Sequence, residues 1–301
     1  MADLSAGTIN ERSEWRTTLG ALAKRSWQLR MGLIGGVVIA GLIFTAVFAP
    51  YLAPKSPYEQ NIGERLLPPS FLEGGSSSYF LGTDQLGRDL LSRLIYGSRI
   101  SLVAGLSAVG LEVIIGVLLG LLAGYYGRWV DSVISFLLNV MVSFPFILLA
   151  MSLVAVLGPS LKNIIIALGS TGWPVFTRVT RVETMKLKER DFIHAAVSLG
   201  FSTRRILLRH ILPNLLPSIL VIATVEVSRA IILESLLSFL GLGIQPPTPS
   251  WGVMLAEGRD HMLLRWWLAA FPGAAIFLSA LGINLLGDAM RDIVDPYMRK
   301  G

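Results

Sequence analysis

Long runs of apolar residues without charge recur along the chain and predict membrane-spanning helices. Residues 31–49 carry no charged side chain, and at 1.5 Å per residue a helix of this length can cross a hydrocarbon core of about 30 Å. A signal peptide would have a shorter apolar stretch nearer the terminus, so this run predicts an uncleaved span. The same criterion predicts five further spans, at residues 100–127, 132–161, 163–177 with continuation past Arg178, 217–240 and 266–287.

Short polar or aromatic segments mark the ends of several of these spans. The turn at residues 127–131 predicts a tight hairpin between the second and third spans. Trp266 and Trp267 open the sixth span, where an interfacial aromatic belt would place them.

The basic residues are unevenly divided between the two sides of the predicted spans. Six spans place both termini on one side, and that side carries seventeen of the 26 Lys and Arg residues. Because cytoplasmic loops hold an excess of basic residues, the termini are predicted to be cytoplasmic. Eight basic residues lie in the loop between spans four and five: Arg178, Arg181, Lys186, Lys188, Arg190, Arg204, Arg205 and Arg209.

Composition narrows the possible functions. The chain is 53% hydrophobic and only 15% charged, whereas soluble proteins carry about 25% charged residues. Zero cysteines exclude disulfides, iron–sulfur clusters and a thiol nucleophile, and three scattered histidines argue against a zinc site. We therefore expect no cofactor. The net charge of +6 reflects the excess of basic residues on the predicted cytoplasmic side. Nucleic acid is not expected as a partner, because the basic loop lacks the interleaved aromatic residues that stack on bases.

The loop after span one is rich in Pro, Gly and Ser, which predicts irregular external structure. From Thr83 onward the pattern changes, and Asp84 could cap a helix there. This helix is predicted to be amphipathic and to lie on the membrane surface before span two, although it could instead pack on its own loop. Its apolar side would carry Leu86, Leu90, Leu91, Leu94 and Ile95, and its polar side Arg88, Asp89, Ser92 and Arg93.

Span two contains Gly116, Gly120 and Gly124 at four-residue spacing. Such a strip of small residues lets another helix approach closely. Packing within the chain is the preferred interpretation over a subunit interface.

The loop between spans four and five predicts two short helices. In the first, Phe192, Ala195, Ala196 and Leu199 share one apolar face, and Gly200 ends the helix. The second is predicted to begin at Ser202 or Thr203 and to end at Pro213. The small apolar face suggests contact with another protein, but the helix could instead fold against its own bundle.

The loop between spans four and five resembles the cytoplasmic EAA loop of ABC-importer permease subunits. The resemblance rests on Asp191-Phe192, Ala195-Ala196, Gly200 and Leu212-Pro213, while His194 replaces the usual glutamate and His210 the usual isoleucine. Residues 81–102 and 234–255 are similar to segments of the dipeptide, oligopeptide and nickel permease family, and the tail at 284–301 is similar to its C-type subunit.

The resemblance implies an all-α, six-helix permease of the type I ABC-importer fold. It implies a heterodimer with a second homologous permease, two cytoplasmic ATPase subunits and an external solute-binding protein. The chain itself has no G-x-x-x-x-G-K-[ST] phosphate loop, so ATP would bind the partner subunits. The residues that this implies for ATPase coupling are Asp191, Phe192, His194, Ala195, Ala196, Leu199, Gly200, Leu212 and Pro213.

Four segments follow from this interpretation. They are a cytoplasmic N-terminal segment at 1–30, a first span with external loop and interfacial helix at 31–99, a five-helix core at 100–290 with the coupling loop at 178–213, and a cytoplasmic tail at 291–301.

Four ionisable residues fall inside the predicted spans: Glu112, Glu226, Arg229 and Glu234. Each charge near the bilayer centre costs about 2.5–3.5 kcal/mol on insertion scales, so these groups should be paired or face a wet cavity. Glu226 and Arg229 lie three residues apart on one helix and could pair. We expect Glu112, Glu226 and Arg229 to line a translocation path or, alternatively, to lock spans two and five together. Glu234 is also assigned to this path, although it lies toward the outer end of its span and could merely reach the interface.

The predicted function is therefore a non-catalytic permease that forms half of a pore for di- or oligopeptides. Nickel chelates, glutathione or opine-like solutes are alternative cargoes. A secondary transporter is a more distant alternative, and a membrane enzyme is disfavoured because no nucleophile elbow, H-E-x-x-H helix or paired intramembrane aspartates occur.

Overall fold

The computed structural model of the protein describes residues 30–294, and most of these residues are helical. The basic residues before Arg30 and the part of the family-like tail after Val294 lie outside the described residues. Within residues 30–294 no strand forms, apart from one isolated bridge between Thr83 and Asp89. The helices in chain order are α1 (Arg30–Val47), α2 (Ala49–Leu52), α3 (Leu90–Tyr126), α4 (Arg128–Ser143), α5 (Phe146–Leu157), α6 (Leu161–Lys188), α7 (Asp191–Ser198), α8 (Thr203–Arg205), α9 (Leu212–Phe239), α10 (Trp251–Arg259) and α11 (Trp267–Val294).

Within residues 30–294, four helical segments are long and apolar enough to cross a membrane, namely α1, α3, the continuous segment Thr203–Phe239 and α11. The bent pair α4–α5 would be a fifth. Helix α6 corresponds to the predicted fourth span, and it continues past Arg178 as expected. The mean hydropathy of α6 is lower than that of the four segments named above, because residues 169–180 are rich in Gly, Ser and Thr. A helix that packs inside protein need not be uniformly apolar.

The third predicted span is not one continuous helix. Helices α4 and α5 meet at a bend of 87°, so the predicted span at 132–161 is divided into two helices. Phe144 is extended (φ −92°, ψ 137°) and is followed by Pro145, the N-cap of α5. A proline disfavours helical backbone at the residue before it, which explains the break.

The predicted hairpin between spans two and three is confirmed. Helix α3 ends at Gly127, whose φ of +62° is accessible to glycine without strain. Its N–H donates to Ala123 O over 3.0 Å, and α4 starts at the next residue.

Helices α3 and α6 pack against each other over most of their length. A Cβ atom at Gly116 would lie 2.5 Å from Phe176 Cβ, and one at Gly120 would lie 2.6 Å from Thr180 Cβ. At Gly124 the clash would be with Arg181 O, at 2.6 Å. The small-residue strip therefore serves packing within the chain, as predicted.

The predicted interfacial helix before span two is wrong. Helix α3 runs for 37 residues from Leu90 to Tyr126 without a break, and the stretch before it forms turns. Asp89, not Asp84, is its N-cap and accepts a hydrogen bond from Ser92 N–H over 2.8 Å. The polar side is not solvated, because Arg88 and Arg93 are almost completely buried.

The hydrophobic core has two parts. The larger lies among α3, α5, α6, α7 and α9, and the smaller joins the start of α3 to α10 and α11.

Candidate coupling surface and translocation site

Helix α7 ends as the sequence predicts. Gly200 has a φ of +74°, and its N–H donates to Val197 O over 2.9 Å. The next N–H, of Phe201, donates to Ala196 O over 3.1 Å. These two bonds form a Schellman motif, in which glycine supplies the left-handed residue after the helix.

Helix α7 has one buried side and one open side. Ile193 and Ala196 are buried in the larger core. Phe192 is 44% exposed and Leu199 72% exposed, and Ala195 lies between them on the open side. The predicted apolar face is therefore divided, because Ala196 anchors α7 to its own bundle while the other three residues remain accessible. Asp191 and His194 are exposed as well.

The second short helix does not end at Pro213, so that prediction is wrong. It begins after the N-cap Ser202, passes through a π-helical segment (Ile206–Ile211) and continues into α9. The last π-type bond joins Leu212 N–H to Leu207 O, directly before Pro213. Proline lacks an N–H, and Pro213 follows directly on the π-helical segment, where the regular hydrogen-bond pattern of the α-helix is already interrupted. Leu212 is half-buried and Pro213 exposed.

Phe201 fixes the loop after α7 to the π-helical segment. The Arg205 guanidinium lies 3.9 Å from the ring centroid, and the His210 ring is stacked on Phe201 with centroids 5.7 Å apart. His210 departs from the family pattern, and its role in supporting this loop could not be predicted from its spacing alone.

Glu112 lies in α3 and is buried against α6. A Cβ atom at Gly172 would lie only 2.1 Å from Glu112 Oε1, so the glycine makes room for the carboxylate. Among residues 30–292, no hydrogen-bond donor reaches Glu112 Oε2. Such an incompletely paired buried carboxylate requires an explanation, because it is costly to bury.

The predicted pair between Glu226 and Arg229 forms in α9. Arg229 Nη1 donates to Glu226 Oε2 over 3.2 Å, and the guanidinium carbon lies 4.4 Å from the centroid of the Phe146 ring at the α4–α5 bend. Glu226 is buried, while the Arg229 side chain is 41% exposed. Both side chains lie within electrostatic range of Glu112 on α3. The structure therefore brings three of the four predicted residues together, in a cluster with two carboxylates and one cation.

Glu234 does not belong to this cluster, so the structure does not group it with the other three predicted path residues. Its side chain is fully buried. Ser238 Oγ donates to Oε1 over 2.8 Å, and Ser101 Oγ donates to Oε2 over 3.1 Å. Because Ser101 lies in α3, Glu234 joins α9 to α3.

A second buried ion cluster was missed by the sequence reasoning. Arg88 Nε contacts Asp84 Oδ2 at 2.6 Å, and Arg93 Nη1 also contacts this carboxylate. Glu257 of α10 accepts from Arg88 Nη2 at 2.9 Å and from Arg93 Nη1 at 2.6 Å. The charged residues before α3 indicated an ionic segment, but the partner on α10 lies more than 160 residues away in sequence.

Comparison with known proteins identifies the family. Residues 116–300 match the family described as binding-protein-dependent transport system inner membrane component. Residues 24–69 match the N-terminal TM domain of oligopeptide transport permease C. The larger match covers more than half of the chain.

Curated relatives align over nearly their whole length. The chain is 46% identical over 280 residues to the di/tripeptide transport system permease protein DppC of Pseudomonas aeruginosa, covering 92% of each chain. It is 42% identical to the dipeptide transport system permease protein DppC of Alkalihalophilus pseudofirmus, covering 95% of this chain and 91% of the relative. It is 41% identical to the glutathione transport system permease protein GsiD of Pectobacterium atrosepticum, with 96% and 93% covered. The chain therefore belongs to the binding-protein-dependent transport system inner membrane components, as a multi-pass, C-type permease of the dipeptide and oligopeptide group.

Proposed function

We propose that this protein is a permease subunit of an ATP-driven peptide importer and forms half of the pore with a second homologous permease. The observation that carries the proposal is α7, a helix anchored on one side and apolar but open on the other. Relatives named as dipeptide and di/tripeptide permeases support the cargo class.

In this proposal the open side of α7 docks on a cytoplasmic ATPase subunit. Two such subunits bind and hydrolyse ATP, and the permease itself is non-catalytic. Because Ile193 and Ala196 lock α7 to the core, movement of the ATPase would displace the bundle rather than a loose loop. The Phe201–His210 stack and the unbroken segment Thr203–Phe239 would carry this displacement into α9.

The proposed topology has six spans with both termini and α7 in the cytoplasm. Helix α6 is the fourth span, and α4–α5 together are the third, bent span. The distribution of basic residues supports this orientation. At 1.5 Å per residue the 37 residues of α3 span roughly 55 Å, so α3 extends beyond a core of about 30 Å.

The proposed translocation path passes the cluster of Glu112, Glu226 and Arg229. The accessible guanidinium of Arg229 could meet a peptide carboxylate, and the incompletely paired Glu112 could meet an ammonium group. A structural role that locks α3 to α9 is the alternative. Uptake by Glu226→Gln and Arg229→Met transporters separates the two: unchanged transport at normal membrane abundance would contradict the path.

Ala195→Arg tests the coupling surface. Ala195 is exposed, so the substitution should leave folding intact and prevent the ATPase subunits from copurifying. Ser77→Arg, at an exposed position in the polar loop before α3, is the control outside the coupling loop and should retain them. Normal ATPase association in Ala195→Arg would contradict the proposed docking.

Glutathione is a second candidate cargo, supported by the relative named for glutathione transport. Calorimetry of the cognate solute-binding protein with a dipeptide panel and with glutathione would decide between them. If the solute-binding protein binds glutathione preferentially, glutathione is the cargo, and the proposed transport mechanism is unchanged.

A further inference from the structure

The turn between α10 and α11 presents apolar side chains at its tip. Leu263 is 95% exposed and Leu264 83% exposed, and Met262 and Trp266 beside them are about half exposed. No other large apolar side chain among residues 30–292 is as exposed as Leu263. Contiguous exposed apolar residues of this kind mark a contact with a membrane or another protein.

Hydrogen bonds within the turn hold these residues outward. His261 N–H donates to Gly258 O over 3.1 Å, which continues the end of α10. Leu264 N–H and Arg265 N–H both donate to His261 O, over 3.1 and 2.8 Å. The tip is therefore an ordered structure whose apolar residues have no place in the core of the protein.

The turn is continuous with the beginning of a membrane-spanning helix. Trp267 is the first residue of α11, and its ring lies 6.1 Å from that of Trp266. Trp266 also lies 6.0 Å from Phe271, one turn into the helix. Aromatic clusters at the end of a span are characteristic of the interface between lipid and water. Exposed Arg265 would lie at the same level, where it can contact lipid phosphate.

We infer that Leu263 and Leu264 insert into the bilayer beside the N-terminal end of α11, below the lipid headgroups. Lipid is the favoured occupant over a solute-binding protein, because such a protein dissociates and would leave both leucines in water. The membrane next to α11 is always present and covers them continuously. Two leucines with a neighbouring tryptophan are the side chains that interfacial segments use for this contact. In the proposed topology this is the outer leaflet, but the insertion itself does not depend on that topology.

The absence of cysteine from the chain makes a direct test possible. Leu264→Cys is labelled with a polarity-sensitive fluorophore in the full transporter, which is then placed in lipid nanodiscs. Lipids with a nitroxide near the headgroup end of the acyl chain serve as quenchers. Val37→Cys, at a position 71% exposed on α1, is the lipid-facing control, and Ser77→Cys, in the polar loop before α3, is the water-facing control.

We expect the label at Leu264 to emit at shorter wavelength than the label at Ser77 and to lose fluorescence with the nitroxide lipids, as the label at Val37 does. The loss should be the same with and without the solute-binding protein. A label at Leu263 should give the same result, which guards against a defect peculiar to one variant. Quenching no greater than at Ser77 would overturn the inference, and so would an emission shift that requires the solute-binding protein.

Discussion

Replacement of Glu257 by Met removes one of the two carboxylates that neutralise Arg88 and Arg93. Both guanidinium groups are almost completely buried, and Glu257 accepts a hydrogen bond from each, at 2.9 and 2.6 Å. Without Glu257, Asp84 alone faces two cations, so one buried positive charge is uncompensated. Removing one partner of a buried ion pair costs about 3–5 kcal/mol, and we expect Glu257→Met to destabilise the protein by this amount.

A compensating substitution should recover most of this loss. In Glu257→Met with Arg93→Met, the cluster again contains one cation and one anion, held together by the Arg88–Asp84 contact. Arg93 Nε and Nη2 have no hydrogen-bond acceptor among residues 30–292, so the second change also removes two buried donors. Since ion pairs replaced by apolar residues of similar size are often neutral in stability, we expect the double variant to regain at least about 2 kcal/mol.

Thermal unfolding followed by intrinsic tryptophan fluorescence measures both effects. Trp251 reports on this region, because its Nε1–H donates to Leu94 O over 3.0 Å. At about 2 °C per kcal/mol for a chain of this size, Glu257→Met should lower Tm by roughly 6–10 °C. Glu73→Met, at an exposed position, should leave Tm unchanged. A normal Tm for Glu257→Met, or a double variant as unstable as the single one, would refute the reasoning.

Three further substitutions test other contacts. Gly120→Leu would force a side chain into the contact with Thr180 and cost at least about 1–3 kcal/mol; Gly110→Ala, with open space around it, should be neutral in the same unfolding assay. Gly200→Ala places a side chain at φ +74°, which costs about 1–2 kcal/mol. This variant should reduce peptide-stimulated ATP hydrolysis more than it reduces the abundance of the permease in the membrane. A larger loss of abundance than of ATP hydrolysis would contradict a coupling role. Ile193→Ala leaves a cavity under α7 that costs about 2–5 kcal/mol. We expect faster protease cleavage at α7 in the purified permease, because this side chain anchors the helix. Unchanged cleavage would contradict that anchoring role.

Local sequence patterns predicted those parts of the fold that depend on neighbouring residues. The uncharged runs located the four described helical segments that are long and apolar enough to cross a membrane. The four-residue spacing of Gly116, Gly120 and Gly124 predicted close helix packing. Gly200 predicted the end of α7, because a left-handed residue after a helix requires glycine or a similar residue. The Glu226–Arg229 pair could be predicted since both residues lie on one helix.

Features that depend on distant partners could not be predicted in this way. The polar side of the segment before α3 was interpreted as facing water, because Glu257, which pairs with it, lies on α10. The burial of Glu234 by Ser101 of α3 and the serines of α9 was not predicted. The bend before α5, in contrast, could have been predicted from the sequence, because Pro145 disfavours helical backbone at the residue before it.

Uptake by reconstituted vesicles tests the central claim most directly. The permease, its homologous partner, the two ATPase subunits and the solute-binding protein are incorporated with a labelled dipeptide on the binding-protein side and ATP on the other. We expect accumulation of the dipeptide that requires ATP hydrolysis and disappears in Ala195→Arg. Accumulation driven by an ion gradient without ATP, or undiminished in Ala195→Arg, would contradict this claim.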